Sequence, residues 1–353
     1  LHYLENKELD TIWSKVGESL EKGLPFALYR KPDAAQIYGV FQSSKDLNVT
    51  KDFTESGFVF APFDKTDKAI LVQPDAFWTA EYIPGKSQNT ASFSLDESGK
   101  EAHLQLVKRG IAEIKKGRLQ KVVLSRKMEV PISQSPLGIF KTLLNTYPSA
   151  FGYLFHHPEI DTWCGATPET LVKVQNRQLR TMSLAATLPH IETEEPQWGE
   201  KEIQEQQMVS EYIGDKLAHA MEVLEIDEAE SVRAGNLWHL RSEVRGTMLP
   251  NIKVREVIKA LHPTPAVCGI PTGEAQLFIA SNENYERTYY TGFLGELNLA
   301  QDGETALFVN LRCMELKGDR AFIFVGGGIT EASDPESEWV ETQNKSKTML
   351  GVL

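Results

Sequence analysis

The 353-residue chain is 41% hydrophobic and 24% charged, the balance of a globular protein long enough to bury a large core. Its 37 Lys and Arg against 49 Asp and Glu leave a net charge of −12 with no basic block, which argues against a nucleic-acid partner. An anionic ligand could still be held, but only by local Arg or Lys, helix N-termini or a metal ion.

In chain order, Leu4, Ile12, Trp13, Val16 and Leu20 predict an opening amphipathic helix. Four short strand-like runs follow, PFALYR, QIYGVF, GFVFAPF and AILVQP, with turn residues between them. Together they read as a mostly antiparallel N-terminal lobe over residues 1–97, integral to the fold. The polar stretch GKSQNTASFSLDESGK at 85–100 is the best linker candidate. Past it, Leu104, Val107, Ile111 and Ile114 stand at helical spacing up to Gly117, and the strand KVVLSR comes next. The remaining helices and strands lack the strict alternation of a parallel sheet. Near the C-terminus YYTGFLGELNLA, TALFVNLRCMEL and RAFIFVGGG are separated by turns at Asp302-Gly303 and Gly318-Asp319, which predicts two hairpins in an antiparallel meander.

Cys164, Cys268 and Cys313 lie far apart with no C-x-x-C pairing, so neither a disulfide framework nor a zinc site is expected. LHYLENKELD lacks the basic start and apolar core of a signal peptide, and no apolar run reaches membrane-spanning length. The expectation is a reducing, cytoplasmic setting without a membrane partner.

Two segments concentrate carboxylates at helical spacing. In GGGITEASDPESEWVETQNK, Glu338, Glu341 and Lys345 share a stripe that continues to Met349. In EKEIQEQQMVSEYIGDKLAHAM, Glu202 and Glu205 line up with Val209 and Tyr212, so they should face the interior. Buried acids need partners, and all-oxygen donors suit a hard cation such as Mg2+. The ordinary reading, two independent solvated helix starts that complement the helix dipole, is the commoner arrangement at such spacings.

Single residues carry similar pairs of readings. Arg312, placed mid-strand on a face with Phe308 and Met314, needs an anion from inside the protein or from a ligand. Lys121 is either an edge charge or a desolvated base, and Glu169 in CGATPETL is on its own a surface acid. His239 and His262 read as packed, hydrogen-bonded histidines. The run VGGGI lacks both phosphate-loop patterns but offers unhindered N–H groups for a carboxylate.

Taken in order, KVVLSR, CGATPETL, SLAAT, KEIQEQ, LWHL, LHPTPAVCG, ERTYYTGFLG, NLRCMEL, GGGITEASDPESEWVETQNK and TMLGVL resemble the chorismate-utilising enzymes. That family includes isochorismate, salicylate, anthranilate (component I) and aminodeoxychorismate (component I) synthases. The resemblance implies an α+β fold like that of anthranilate synthase component I: large antiparallel sheets in a sandwich, helices outside, and a chorismate site in a deep cleft. It also implies one Mg2+ between the two acidic helices, with Glu205 and Glu341 as direct ligands and Glu202 and Glu338 acting through metal-bound water. Arg312, Tyr290 and the backbone of Gly326 and Gly328 would hold the substrate's carboxylates, with Lys345 beside the metal and His239 and Ala266 in the substrate-binding set.

Within the family, single positions choose the reaction. Lys121 matches the lysine that activates water for attack at C2 in isochorismate and salicylate synthases, and Glu169 matches the acid that protonates the departing C4 hydroxyl. Ala185 stands where aminodeoxychorismate synthases commonly carry a nucleophilic lysine, and Ala266 where the lyases tend to carry Thr. No glutamine amidotransferase subunit is expected. The resemblance therefore implies an Mg2+-dependent isochorismate synthase, an isomerase feeding menaquinone or siderophore synthesis, with salicylate synthase as the alternative. A non-catalytic anion- or metal-binding protein on the same scaffold is the competing class. One departure stands out, because Gln206 follows Glu205 where the family motif usually has His.

Overall fold

The computed structural model describes residues 3–66, 68–85, 97–190, 195–235, 237–299 and 303–353. The chain starts with β1 (Leu4–Asn6), α1 (Leu9–Lys22), β2 (Phe26–Arg30), β3 (Gln36–Phe41), β4 (Gly57–Ala61), β5 (Ile70–Val72) and β6 (Ala76–Glu81). Ile12, Val16 and Leu20 face inward from α1, and Gly23 at φ 60 ends it. Leu4, expected on that helix, instead opens a short strand that pairs with Phe77 of β6. The first seven elements feed both sheets of the protein: β1, β2, β3 and β6 join one, β4 and β5 the other. Most of the expected linker at 85–100 lies outside the described residues.

The middle of the chain forms α2 (Lys100–Lys115), β7 (Lys121–Pro131), α3 (Pro136–Thr146), β8 (Phe151–His157), β9 (Asp161–Thr167), β10 (Thr170–Gln175), β11 (Gln178–Pro189) and α4 (Glu200–Ala218). Then come β12 (Met221–Ile226), β13 (Glu230–Ala234), β14 (Leu237–Met248), α5 (Val254–Leu261), β15 (Gly269–Ile270) and α6 (Thr272–Asn282). The last part holds β16 (Phe293–Leu297), β17 (Thr305–Val309), β18 (Cys313–Lys317), β19 (Arg320–Ile329) and α7 (Pro335–Leu350). Asp334 caps α7 by accepting from Ser337 N at 2.9 Å, with Pro335 in the first turn.

A ten-stranded sheet runs β1-β6-β3-β2-β8-β9-β18-β19-β7-β15, and a nine-stranded sheet runs β12-β14-β11-β10-β17-β16-β4-β5 with β13 beside β14. Pairing is antiparallel except between β1 and β6. The sheets stack through an aromatic layer in which Phe151 meets Phe308 at 4.1 Å and Phe60 meets Phe155 at 4.3 Å between centroids. Outside the ten-stranded sheet, α1, α3 and the end of α7 bury Ile12, Phe140 and Met349. Outside the nine-stranded sheet, α4 and α5 bury Val209, Ile213 and Ile258. The α+β sandwich with external helices is thus the architecture expected.

The C-terminal meander departs from expectation in one way. TALFVNLRCMEL is two strands, not one: β17 pairs with β16 in the nine-stranded sheet and β18 with β19 in the ten-stranded sheet. The chain crosses at Asn310–Arg312, where Asn310 takes the Tyr153 hydroxyl at 2.6 Å and Arg312 adopts a left-handed φ of 47. Arg312 therefore sits at the seam between the sheets, not mid-strand beside Phe308 and Met314.

Candidate active site

The seam opens into a cavity whose lining includes Glu169, Glu205, His239, Ala266, Tyr290, Arg312, Gly326–Gly328, Glu341 and Lys345. Eight separate segments deliver these side chains. Glu169 comes from the β9–β10 connection, Glu205 from the first turns of α4, His239 from β14, and Glu341 and Lys345 from α7. The glycine run is the end of β19, paired with Ser125, Leu124 and Val123 of β7. There the missing side chains provide room: a Cβ at Gly328 would run into the Glu205 carboxylate, and one at Gly327 would stand 3.2 Å from Glu338 Oε2. Lys121, at the start of β7, is fully buried and reaches Glu205 Oε1 at 2.9 Å.

Ion pairs span the cavity and leave it only about 70 Å3 of open space. Besides Lys121–Glu205, Lys345 Nζ lies 2.6 Å from Glu341 and donates to Gly326 O at 3.0 Å. Lys201 Nζ lies 2.7 Å from Glu338. On α7, Glu338 is thus buried rather than solvated, only 1% exposed, while the Glu341 side chain is 21% exposed. Burial, then the charge of Glu341, pushes the Glu338 carboxyl up to about 7. At Glu341 burial acts in the same direction, but Lys345, Lys201 and Arg312 together outweigh it and the net shift is downward. Burial opposes the Lys201 ammonium, yet Glu338, Glu341 and Glu205 together push its pKa up.

Glu169 has the opposite surroundings. It is 3% exposed, and burial raises its carboxyl to about 8 although Lys121 and Lys345 pull downward. His239 is buried, with Nδ1 2.9 Å from Ala186 O and Nε2 3.5 Å from Arg312 Nη2. A guanidinium can only donate, so Nε2 accepts and Nδ1 carries the proton. Burial, then Arg312 and Lys345, lowers the His239 pKa to about 3, which leaves a neutral ring facing the seam. His262 is a packed histidine near Pro62 O at 3.1 Å, outside the cavity.

The donor chemistry fits a hard divalent cation. Glu205, Glu338 and Glu341 meet around Gly327 and Gly328, and all three act on Lys201. Glu338 Oε2 is buried without a hydrogen-bond partner of normal geometry, although the Ser333 hydroxyl is near. Among the described residues no three acids already form a coordination sphere, and each of these three is paired with a lysine. Glu202 does not reach the inner cavity: its Oε2 accepts from Gly199 N at 3.0 Å, capping α4, and it lines an outer cavity with Glu336, Glu338 and Glu341. Gln206 points away from Glu205, its amide nitrogen within 3.0 Å of Ser183, Ser210 and Ser242 hydroxyls. That network fixes the first turns of α4 against β11 and β14 without a histidine.

Sequence reasoning missed two features. Lys201 is one charge in a mixed-charge helix start, which gives the sequence alone no reason to single it out. The lining at Leu184–Thr187 comes from an irregularity in β11, where Ala186 takes a φ of 62 and the register with β14 shifts. No residue type in SLAAT announces that conformation.

The chain matches the chorismate binding enzyme family over residues 65–353. It belongs to that family. Among the members, isochorismate synthase DhbC of Bacillus subtilis strain 168 is 31% identical over 322 residues, covering 83% of this chain and 79% of DhbC. A structure of DhbC from Bacillus anthracis, described as a 2,3-dihydroxybenzoate-specific isochorismate synthase, superposes with a TM-score of 0.80 at 25% identity, covering 96% of this chain and 98% of that one. Anthranilate synthase component I from Streptococcus pneumoniae TIGR4 shares the fold at a TM-score of 0.70 and 20% identity, covering 92% of each chain. The fold shared with the Bacillus anthracis structure covers 96% of this chain and so includes strands before residue 65.

Proposed function

We propose that the protein is an isochorismate synthase, which moves the ring hydroxyl of chorismate from C4 to C2. The observation that carries this reading is that Glu169 lines the cavity while Lys121, whose charge acts on Glu169, reaches the cavity's Glu205 at 2.9 Å. As the base, Lys121 would take a proton from the water that attacks C2, which requires it to leave its ion pair with Glu205 as the free amine. The ring double bonds shift, the C4–O bond breaks, and Glu169 gives its proton to the departing oxygen, which leaves as water. One water is consumed and one released. Burial keeps Glu169 protonated at neutral pH, as that role requires. The similarity to DhbC supports the same activity.

Arg312 and the Tyr290 hydroxyl, which faces Gly326, would hold the side-chain carboxylate. His239 orients Arg312 from behind as a neutral acceptor. Glu205, Glu338 and Glu341 would hold Mg2+, which when bound supplies the positive charge that receives the ring carboxylate. Substrate entry would part the ion pairs that now fill the cavity. Ala266 leaves space beside the ring, so isochorismate would leave with its enolpyruvyl group intact. Purified protein should convert chorismate to isochorismate by chromatography, stop when EDTA is added, and release little pyruvate in a lactate-dehydrogenase-coupled assay. Stoichiometric salicylate and pyruvate would assign the lyase activity instead, and no chorismate turnover would leave a binding protein.

A further inference from the structure

We propose that Lys201 is a built-in substitute for the metal: its ammonium neutralises the acids between α4 and α7 when no divalent ion is present, and it swings out when one enters. This inference rests on the reading of Glu205, Glu338 and Glu341 as the Mg2+ site.

Three acids of the site are matched by three lysines, but the lysines are not equivalent. Lys121 is fully buried at the start of β7 and has nowhere to retract. Lys345 sits one turn from Glu341 on the same helix and is held a second time by Gly326 O. Lys201 is different. It lies in the first turn of α4, its side chain is 23% exposed, and the ion pair with Glu338 crosses to another helix. It borders an outer cavity of about 400 Å3 that carries Glu202, Glu336, Glu338 and Glu341 and shares Glu341 and Thr187 with the inner one. That cavity is an acidic approach for a cation and a space into which a four-carbon lysine stem can move.

The charges favour exchange. Each of the three acids already faces a lysine, so a divalent ion added with every lysine in place would leave excess positive charge in a part-buried site, and departure of Lys201 lowers that excess. The second observation is Glu338 Oε2, nine-tenths buried and lacking a hydrogen-bond partner of normal geometry. One ammonium satisfies one oxygen of Glu338 and leaves the other facing the site. A small cation with several coordination positions satisfies both sides. An ordinary structural ion pair would not require such an arrangement.

The test is direct metal binding without substrate, by titration calorimetry with Mg2+ and with Mn2+ on the full chain. If Lys201 occupies the site most of the time, Lys201→Met removes a competitor, and metal affinity should rise on the order of tenfold. Lys201→Arg, which keeps the charge and adds a second donor, should bind metal no more tightly than wild type. In EDTA the Met variant should melt below wild type, and saturating Mg2+ should close that gap. Equal or weaker metal affinity in Lys201→Met overturns the substitution role while leaving the metal site standing. Absence of divalent-ion binding to both wild type and variant overturns both the site and the inference.

Discussion

At the scale of single residues, Glu169 shows how burial sets chemistry. Its carboxyl ordinarily titrates near 4.5 and here near 8, because burial outweighs the two lysines. Between those values the folded protein keeps a proton that the unfolded chain has lost, so this group's contribution to stability is full below the lower value and drains as pH rises through the upper one. Glu169→Gln should flatten the pH dependence of the urea midpoint in that window. The same residue should govern turnover: Glu169→Gln and Lys121→Ala are each expected to lower kcat by about 10^2- to 10^4-fold with KM changed only a few-fold. Equal losses in substrate affinity would make them binding groups. Gly328 is the steric counterpart, since Gly328→Ala would press on the Glu205 carboxylate and stand 3.0 Å from Lys121 Cε. It should abolish activity at a cost of about 1–3 kcal/mol in stability, with the far-UV circular dichroism unchanged. Acids at helical spacing were legible in the sequence because helix geometry alone puts Glu338 near Glu341. Lys121 beside Glu205 was not, since only packing brings β7 to α4.

At the scale of elements, a buried arginine joins segments that carry the site. Arg287 binds both Glu283 oxygens at 2.6 and 2.8 Å, Val123 O of β7 at 2.7 Å, and Val267 O next to Ala266 at 2.9 Å. Tyr290 N in turn donates to the Arg287 carbonyl at 2.8 Å. Removing the guanidinium strands a buried carboxylate, so Arg287→Ala should cost about 3–5 kcal/mol in denaturant unfolding. Arg287→Ala with Glu283→Ala should cost less than the sum of the two single changes. Most strands were legible, since QIYGVF and GFVFAPF announce themselves by composition. The break at Asn310–Arg312 was not, because the apolar alternation runs through it and what stops the strand is a contact with Tyr153 from the other sheet. Leu4 differs for a related reason: β1 has only three residues, too little periodicity to separate it from the helix that follows.

At the scale of the molecule, the two acidic helices belong to opposite layers. α4 packs on β11 of the nine-stranded sheet and α7 on β19 of the ten-stranded sheet. An ion shared by Glu205 and Glu341 would therefore tie the two layers together. Mg2+ at about a hundred times its dissociation constant should stabilise the protein by about 2.7 kcal/mol. Glu205→Gln and Glu341→Gln should each erase that melting shift in scanning fluorimetry and stop turnover. A full Mg2+ shift in either variant would move the metal elsewhere.

The strand order also bears on how the chain is made. β18 and β19 fill the gap between β9 and β7, while β17 and β16 fill the gap between β10 and β4. Both sheets thus wait for one late stretch, residues 293–329, before their central rows of hydrogen bonds can close. As the nascent chain leaves the ribosome, four strand edges stay open until that stretch emerges, each a template for pairing with a neighbouring chain. A chain stopped at residue 292 should therefore collect in the pellet on expression, whereas the full chain stays in the supernatant. Chaperone demand during synthesis should fall sharply once that last hairpin pair has emerged.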